Sequence, residues 1–360
     1  MMEYYTSDSS DSENSVKVID YAYLLLDPEQ TEDKLSTYFD EKKSFSLVER
    51  LILHHNNLVT LPNSIFKFSN TKVLDISNNG ITILPDVFKY LPLTSLIAKN
   101  NLLTNNSLPK NFEKCSTLLE LNLSGNQLSH FPEQILDFAS LKFLYLGGNG
   151  MMEISRNIGK LQSLQMVSFG GNKLTEVPAT LGLLQHLQAL VLCENNIECL
   201  PANIANLHKL KSLLLHKNKL RTLPPEIVAL RNLTELSLRD NPLVVRFVSD
   251  LSYNPVSLLE LSARVIKLYK IPYERGEIPA TLFSYMNSAH HCVNPHCKGV
   301  YFDNRVEHIK FVDFCGKYRI PLLQYLCSSK CASSASVREW KDESIDRPSR
   351  SYMMKKVLLG

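Results

Sequence analysis

A chain of 360 residues with 44% hydrophobic content can fill one large folded body or two unequal ones, and its formal net charge of +3 conceals an asymmetry. Residues 1–41 carry eleven acidic side chains against Lys17 and Lys34, which leaves −9 there and +12 in the remainder. This start lacks the basic and apolar parts of a secretory signal, and the apolar stretch from Tyr21 to Leu26 is far too short to span a bilayer, so no membrane partner is expected. Five of the eight cysteines fall between Cys292 and Cys331, which argues against a disulfide network and for a reducing compartment, cytosol or nucleus.

In chain order, residues 1–42 read as an acidic, disordered leader, rich in Ser and Asp from Ser7 to Ser15. From 43 to 250 the phrase Leu-x-Leu-x-x-Asn-x-Leu, with conservative swaps, recurs nine times on Asn56, Asn79, Asn101, Asn126, Asn149, Asn172, Asn195, Asn218 and Asn241. Successive spacings are 22 or 23 residues, with a single 25-residue step between Asn101 and Asn126. A second phrase, as in Leu61-Pro62, Leu200-Pro201 and Leu223-Pro224, sits between several of them. Alternating leucines make a short strand with its apolar face inward. The asparagine, where the chain turns away, can pair with backbone groups of adjacent turns. No single turn can bury its own leucines, so the turns must stack. The pattern predicts an α/β leucine-rich-repeat solenoid of about nine turns, with a parallel sheet on its concave side and irregular or helical segments outside. The long step implies a two-residue insertion near Asn105-Asn106-Ser107 that bulges outward.

Residues between and beside the leucines face the concave side, and a target protein would meet them there. The candidates are Phe143, Tyr145, Gly147, Met166, Gly170, Val191, Leu214 and Arg239. The pairs Gly147-Gly148 and Gly170-Gly171, preceded by Gly125, either clear space for a partner or ease the turn before the asparagine. Basic residues gather in the eighth turn, His208, Lys209, Lys211, His216, Lys217, Lys219 and Arg221, but no aromatic residues are interleaved, which disfavours nucleic acid.

Beyond Asn241-Pro242 the composition changes, and 251–289 reads as a helical segment. Ser257 to Ile266 has Leu258, Leu261, Ser262, Val265 and Ile266 on one stripe, so it could simply cap the last repeat's open core. Residues 290–331 hold Cys292-x4-Cys297 and Cys327-x3-Cys331, two short pairs some thirty residues apart, the outline of a structural zinc site. Cys315 or one of His290, His291 and His296 could replace a ligand. Residues 332–360 read as a flexible tail.

Ser257, Leu258, Ser262 and Ile266 also fit an elongin-C-binding box, and Ile278-Pro279 with Leu282 and Tyr285 follows at the separation of a cullin-selecting box. With the stretches Asn241 to Val248, Gly299 to Phe302, Phe311 to Tyr318 and Lys356 to Gly360, this arrangement resembles the repeat proteins that carry a C-terminal SOCS-like box. The resemblance implies a substrate receptor of a cullin–RING ubiquitin ligase. Elongin B/C would dock on Ser257, Leu258, Ser262 and Ile266, and a cullin on Ile278, Pro279, Leu282 and Tyr285. Ser262 replaces a common Cys, and Thr281 stands where a second Pro marks cullin-5, leaving cullin-2 and cullin-5 both open. No Gly-rich phosphate loop, nucleophile elbow or spaced carboxylate pair is present, so recognition and not catalysis is expected. The competing expectation is a signalling scaffold that recruits no ligase.

Overall fold

A computed structural model describes residues 17–42, 47–110, 112, 116–244, 256–294, 297–314, 318–331 and 356–358. The expected solenoid is present. Nine parallel strands mark the nine repeats: β2 (Val48–Ile52), β3 (Val73–Asp75), β4 (Ser95–Ile97), β5 (Glu120–Asn122), β6 (Phe143–Tyr145), β7 (Met166–Ser168), β8 (Ala189–Val191), β9 (Ser212–Leu214) and β10 (Glu235–Ser237). They lie side by side in chain order, with β1 (Lys17–Asp20) on one edge and β15 (Lys356–Leu358) on the other. The register is that of the repeat, so the buried middle residues Leu121, Leu144, Val167, Leu190 and Leu213 fall in one cross-strand row. Their flanking residues are half-buried and look out from the concave side, as period-two alternation requires.

Short 3-10 turns form the opposite side. Those at Asn63–Lys67, Glu133–Asp137, Ala179–Leu183, Ala202–Asn206 and Pro225–Ala229 each follow an extended proline, and each buries an aliphatic residue such as Ile65, Ile135 or Ile204. Proline's fixed φ prepares the entry to such a turn and supplies no N–H that would need a partner. The insertion between Asn101 and Asn126 lies here, as the turn Asn105–Ser107. The Asn105 side chain ties it to the next repeat by accepting from the Ser129 amide at 2.8 Å and donating to the His130 carbonyl at 2.8 Å.

Six of the nine repeat asparagines are buried, Asn79, Asn149 and Asn241 are half-buried, and all do the same work. The Asn172 carbonyl oxygen accepts from the Met151 amide at 3.1 Å, one turn back. Its amide group donates to Leu146 O at 3.0 Å and Phe169 O at 2.9 Å. Asn126, Asn195 and Asn218 repeat the pattern on Leu103, Leu174 and Ile197. The asparagines are therefore hydrogen-bonded rungs between turns, satisfying backbone groups that the turn leaves inside the protein.

Two expectations need correction. Residues 17–42 are not a disordered leader. β1 pairs with β2, α1 (Pro28–Lys42) follows, Ile19 and Leu35 join the solenoid core, and Leu26 is buried too. Asn56 donates to Tyr21 O and accepts from the Leu26 amide, so this segment serves as a turn before the first repeat. The net charge of this stretch reflects the solvent side of a cap in which Ile19, Leu26 and Leu35 point inward while Val18, Tyr23, Leu24 and Leu25 are exposed. Residues 1–16 lie outside the described residues. At the other end, 356–358 belongs to a strand and not to a flexible tail, for β15 pairs in parallel with β10.

The C-terminal part is joined to the solenoid. A hairpin of β13 (Val306–Phe314) and β14 (Tyr318–Leu326) lays β14 against the outer segment of the eighth repeat, where the Leu223 amide donates to Pro321 O and the Leu323 amide to Leu223 O. Ile320 and Leu322 join the solenoid's own core. The expected boundary at 290 therefore separates chain segments but not hydrophobic cores.

The ladder carries a test. Asn172→Leu leaves the buried Met151 N–H without its partner, at ~1–3 kcal/mol, and takes one of two donors from Leu146 C=O and Phe169 C=O, which keep those of Asn149 and Asn195. The expected loss is about 1–3 kcal/mol, read as a lower urea midpoint, and Asn172→Asp should recover little because a carboxylate would face two carbonyls.

Candidate functional surfaces

The candidate target residues do share the concave face. Phe143 and Met166 are cross-strand partners in one row, while Tyr145, Val191 and Leu214 lie in the next, all half-buried. The Tyr145 hydroxyl reaches the Met166 sulfur at 3.5 Å, and partial burial, with the Glu120 charge, raises its pKa. Arg239 stands exposed at the far end.

The glycine doublets divide into two kinds. Gly125, Gly148 and Gly171 have φ of +65°, +64° and +68°, and the same place is held at positive φ by His55, Asn78, Asn100, Glu194, Lys217 and Asp240 elsewhere. That position is the left-handed step before each asparagine, where glycine is the unstrained choice. Gly147 and Gly170 are different. They have no positive φ, yet a Cβ on Gly147 would lie 2.9 Å from Gly170 O, and one on Gly170 would lie 2.9 Å from Cys193 Sγ. Their missing side chains let neighbouring strands approach, besides leaving a bare strip on the concave surface. An arginine there would disturb packing as well as fill space.

The basic residues of the eighth turn do not form a stripe. His208 and Lys209 follow the outer 3-10 turn, His216 is concave, and Lys217 is paired with Glu194 at 2.8 Å.

The C-terminal helix α2 (Leu258–Leu268) starts at Ser257, whose side chain accepts from the Glu260 amide at 3.2 Å. It does not cap the solenoid. Leu258 is 82% exposed, and Leu261, Val265 and Leu268 are 45–49% exposed along the same helix. Ser262 is also exposed, donating back to Leu258 O, whereas Ile266 packs into a small core of Ala263, Met286, Val300 and Phe302. The second box is split. Pro279, leading α3 (Ala280–Asn287), and Leu282 are exposed, while Ile278 and Tyr285 turn into that core. The Tyr285 ring stacks on Phe302 at 4.7 Å, and burial, then the Glu260 and Asp303 charges, push its hydroxyl up to about 12.

Two short strands, β11 (His290–His291) and β12 (Val300–Tyr301), carry the first cysteine pair between them, and Cys327 and Cys331 follow β14. The four sulfurs of Cys292, Cys297, Cys327 and Cys331 all lie within 4.8 Å of one another, at 3.4 Å for Cys297–Cys327 and 3.7 Å for Cys327–Cys331. A tetrahedral metal with bonds of about 2.3 Å sets its sulfurs about 3.8 Å apart, so the cluster fits a four-thiolate ion. The thiols are free, and burial pushes the Cys327 thiol up further than its neighbouring thiols do, a cost that a bound cation would offset. His290 and His291 are exposed and stand outside the cluster, and Cys315 and His296 lie outside the described residues.

Sequence reasoning missed three residues here. The Gly299 amide donates to Cys297 Sγ at 3.3 Å, and a Cβ at Gly299 would meet Cys327 Sγ at 2.7 Å. Glu260 is 2% exposed and bonded to Arg264 and to the amides of Phe302 and Asn304. The i,i+4 spacing of Glu260 and Arg264 was visible, but such pairs usually lie in solvent.

Models described as leucine-rich repeats match residues 46–103, 117–138 and 185–243. Leucine-rich repeat-containing protein 58 of Xenopus laevis is 62% identical over 317 residues, covering 87% of this chain and 90% of its own. The chain belongs to the leucine-rich repeat-containing protein 58 family. The human protein of that name is 60% identical over 317 residues, with 86% and 85% of the two chains covered. Because the matched 317 residues exceed the span that ends at Val244, the family likeness continues past the repeats. Among solved structures, a TDR receptor shares 26% identity at a TM-score of 0.52, over 63% of this chain and 38% of its own. The functional domain of InlJ from Listeria monocytogenes, at 20% identity and 0.50, shares the fold, over 64% and 45% of the chains. The leucine-rich repeat-containing protein 58 family is thus a repeat family of the kind that mediates protein interactions.

The Gly170 contact gives a double-mutant test. Gly170→Ala should destabilise the fold by ~1–3 kcal/mol by overpacking, and Cys193→Ala in the same chain should recover most of it by removing Sγ. Additive losses across the cycle would show that Cys193 is not what glycine accommodates.

Proposed function

We propose that this chain is a substrate receptor of an elongin B/C cullin–RING ubiquitin ligase, working in the cytosol or nucleus. The observation that carries the reading is the apolar strip of α2. Leu258, Leu261, Val265 and Leu268 stand in solvent on a helix of eleven residues, against the usual sense of burial. A helix that presents apolar residues at i, i+3 and i+7 is suited to a partner's groove. Ser257, Leu258 and Ser262 belong to the exposed side, while Ile266 would contribute by holding the helix. In the second box Pro279 and Leu282 are accessible to a cullin, of type 2 or 5, whereas Tyr285 acts through the core beneath. The target protein would sit on the concave face against Phe143, Tyr145, Met166, Val191 and Leu214, with Gly147 and Gly170 beneath and Arg239 at the rim.

The metal of the four-thiolate cluster is zinc in this reading, bound as a structural ion. Four thiolates close its coordination and leave no position for a reacting water. Its contribution is to hold the loop at Cys292–Cys297 against the end of β14.

Both parts can be measured. Wild-type chain should co-purify with elongin C, and Leu258→Asp, which would put an unpaired charge in the partner's pocket, should lower capture at least tenfold without shifting the melting of the repeats. Undiminished capture by Leu258→Asp, or none by the wild type, favours the scaffold reading instead. Purified protein should contain about one zinc per chain. Cys297→Ser should lose it and expose 290–331 to protease, and metal-free wild-type protein purified without chelator would sink the zinc assignment.

A further inference from the structure

The helix that carries the exposed strip is held by little apolar burial. Ala263 is buried and Ile266 half-buried, but most of its large apolar side chains point to solvent. Eleven helical residues that bury so little apolar surface are marginal in water, so polar contacts must help to fix α2. Arg264 donates through Nε to Glu260 Oε1 at 3.0 Å, through Nη1 to the carbonyl of Cys327 at 2.8 Å, and through Nη2 to the carbonyl of Asn304. Glu260 in turn accepts from the amides of Phe302 at 3.1 Å and Asn304 at 2.9 Å.

Cys327 is the pivot. Its sulfur lies in the thiol cluster, its amide points at Cys292 Sγ at 3.5 Å, and its carbonyl receives Arg264. A metal bound by the four sulfurs fixes this peptide unit and therefore the place where the Arg264 guanidinium must end. If the loop moves, the fork loses a partner and a nearly buried ion pair loses part of its compensation, which is costly out of proportion to one hydrogen bond.

We propose that Arg264 is a positioning residue that couples the four-thiolate metal centre to α2, so that metal occupancy decides whether the helix holds its apolar strip in place. The inference rests on the docking role proposed above only for its consequence: metal-free protein would dock elongin poorly. The coupling itself concerns the metal and α2 alone. Because coupling between two events is reciprocal, loosening α2 must also weaken metal binding by the same factor.

The test uses the full chain. Amide hydrogen exchange from Leu261 to Leu268 is compared with and without zinc, removed by a chelator, with the amides of β5 to β8 as internal reference. Exchange in α2 should accelerate about tenfold or more on zinc removal while the repeats stay unchanged. Arg264→Lys keeps a charge for Glu260 but lacks the planar fork that reaches Cys327 and Asn304 together. Held at saturating zinc it should still exchange faster in α2, and in competition with a chelator it should bind zinc about tenfold more weakly than wild type. Unchanged α2 exchange on zinc removal overturns the proposal, as does Arg264→Lys with wild-type zinc affinity and protected α2. Neither readout involves elongin, so a helix that loosens on zinc removal in a chain that never captures elongin C sinks the ligase reading and leaves this coupling standing.

Discussion

Every repeat has to bring its backbone off the sheet and into the interior, and the asparagine at that bend is what makes the manoeuvre affordable. Its amide is the only neutral side chain of that reach offering two donors and an acceptor together, and here all are used on backbone groups of two successive turns. The leucines supply the driving force for stacking, but apolar contacts alone would tolerate sliding between turns. The ladder does not, because a shifted turn would strand a buried amide and take a donor from the carbonyl of the turn before it. Rigid spacing of the concave rows follows from this, and so does the tolerance of the outer side, where the Asn105–Ser107 turn absorbs two extra residues without disturbing the register of β4 and β5.

A solenoid built this way has two open ends, and this chain closes each by different means. At the first, Tyr21 O and the Leu26 amide occupy the places that a preceding repeat would fill on Asn56. At the last, β15 continues the concave sheet while β14 covers the outer side through Leu223, with Ile320 and Leu322 completing the core. Neither closure needs α2, which is why that helix is free to expose leucines.

How much of this was readable depended on range. The ladder was legible since the asparagine, its leucines and their periods all lie within one repeat. So was the cysteine quartet, whose pairs are each local and whose joining follows from chemistry. The N-terminal cap was not, because net charge over 1–41 speaks for exposed side chains while Ile19, Leu26 and Leu35 are too few to show a period. The glycine doublets were half legible: the left-handed step could be inferred from the asparagine that follows, but the close approach at Gly147 and Gly170 depends on the next strand. Glu260 lay beyond reach for a similar reason, its partners at Phe302 and Asn304 being 42 and 44 residues away.

These ranges bear on how the two surfaces could work together. A concave face that holds one protein and a helix that holds another are useful as a pair only if their separation is fixed, since a loose connection spreads the second partner over many positions. The covalent link is the stretch before residue 256, and among the described residues a path of contacts runs from the eighth repeat through Leu223 to β14, from β14 to Cys327, and from Cys327 through Arg264 to α2. The first of these joints is buried in the main core, and the last is the Arg264–Glu260 pair beside the small core of Ala263, Met286, Val300 and Phe302. Stability along the path therefore falls toward the helix, and the thiol cluster sits where it falls, so a metal there would stiffen a joint that hydrophobic burial leaves weak.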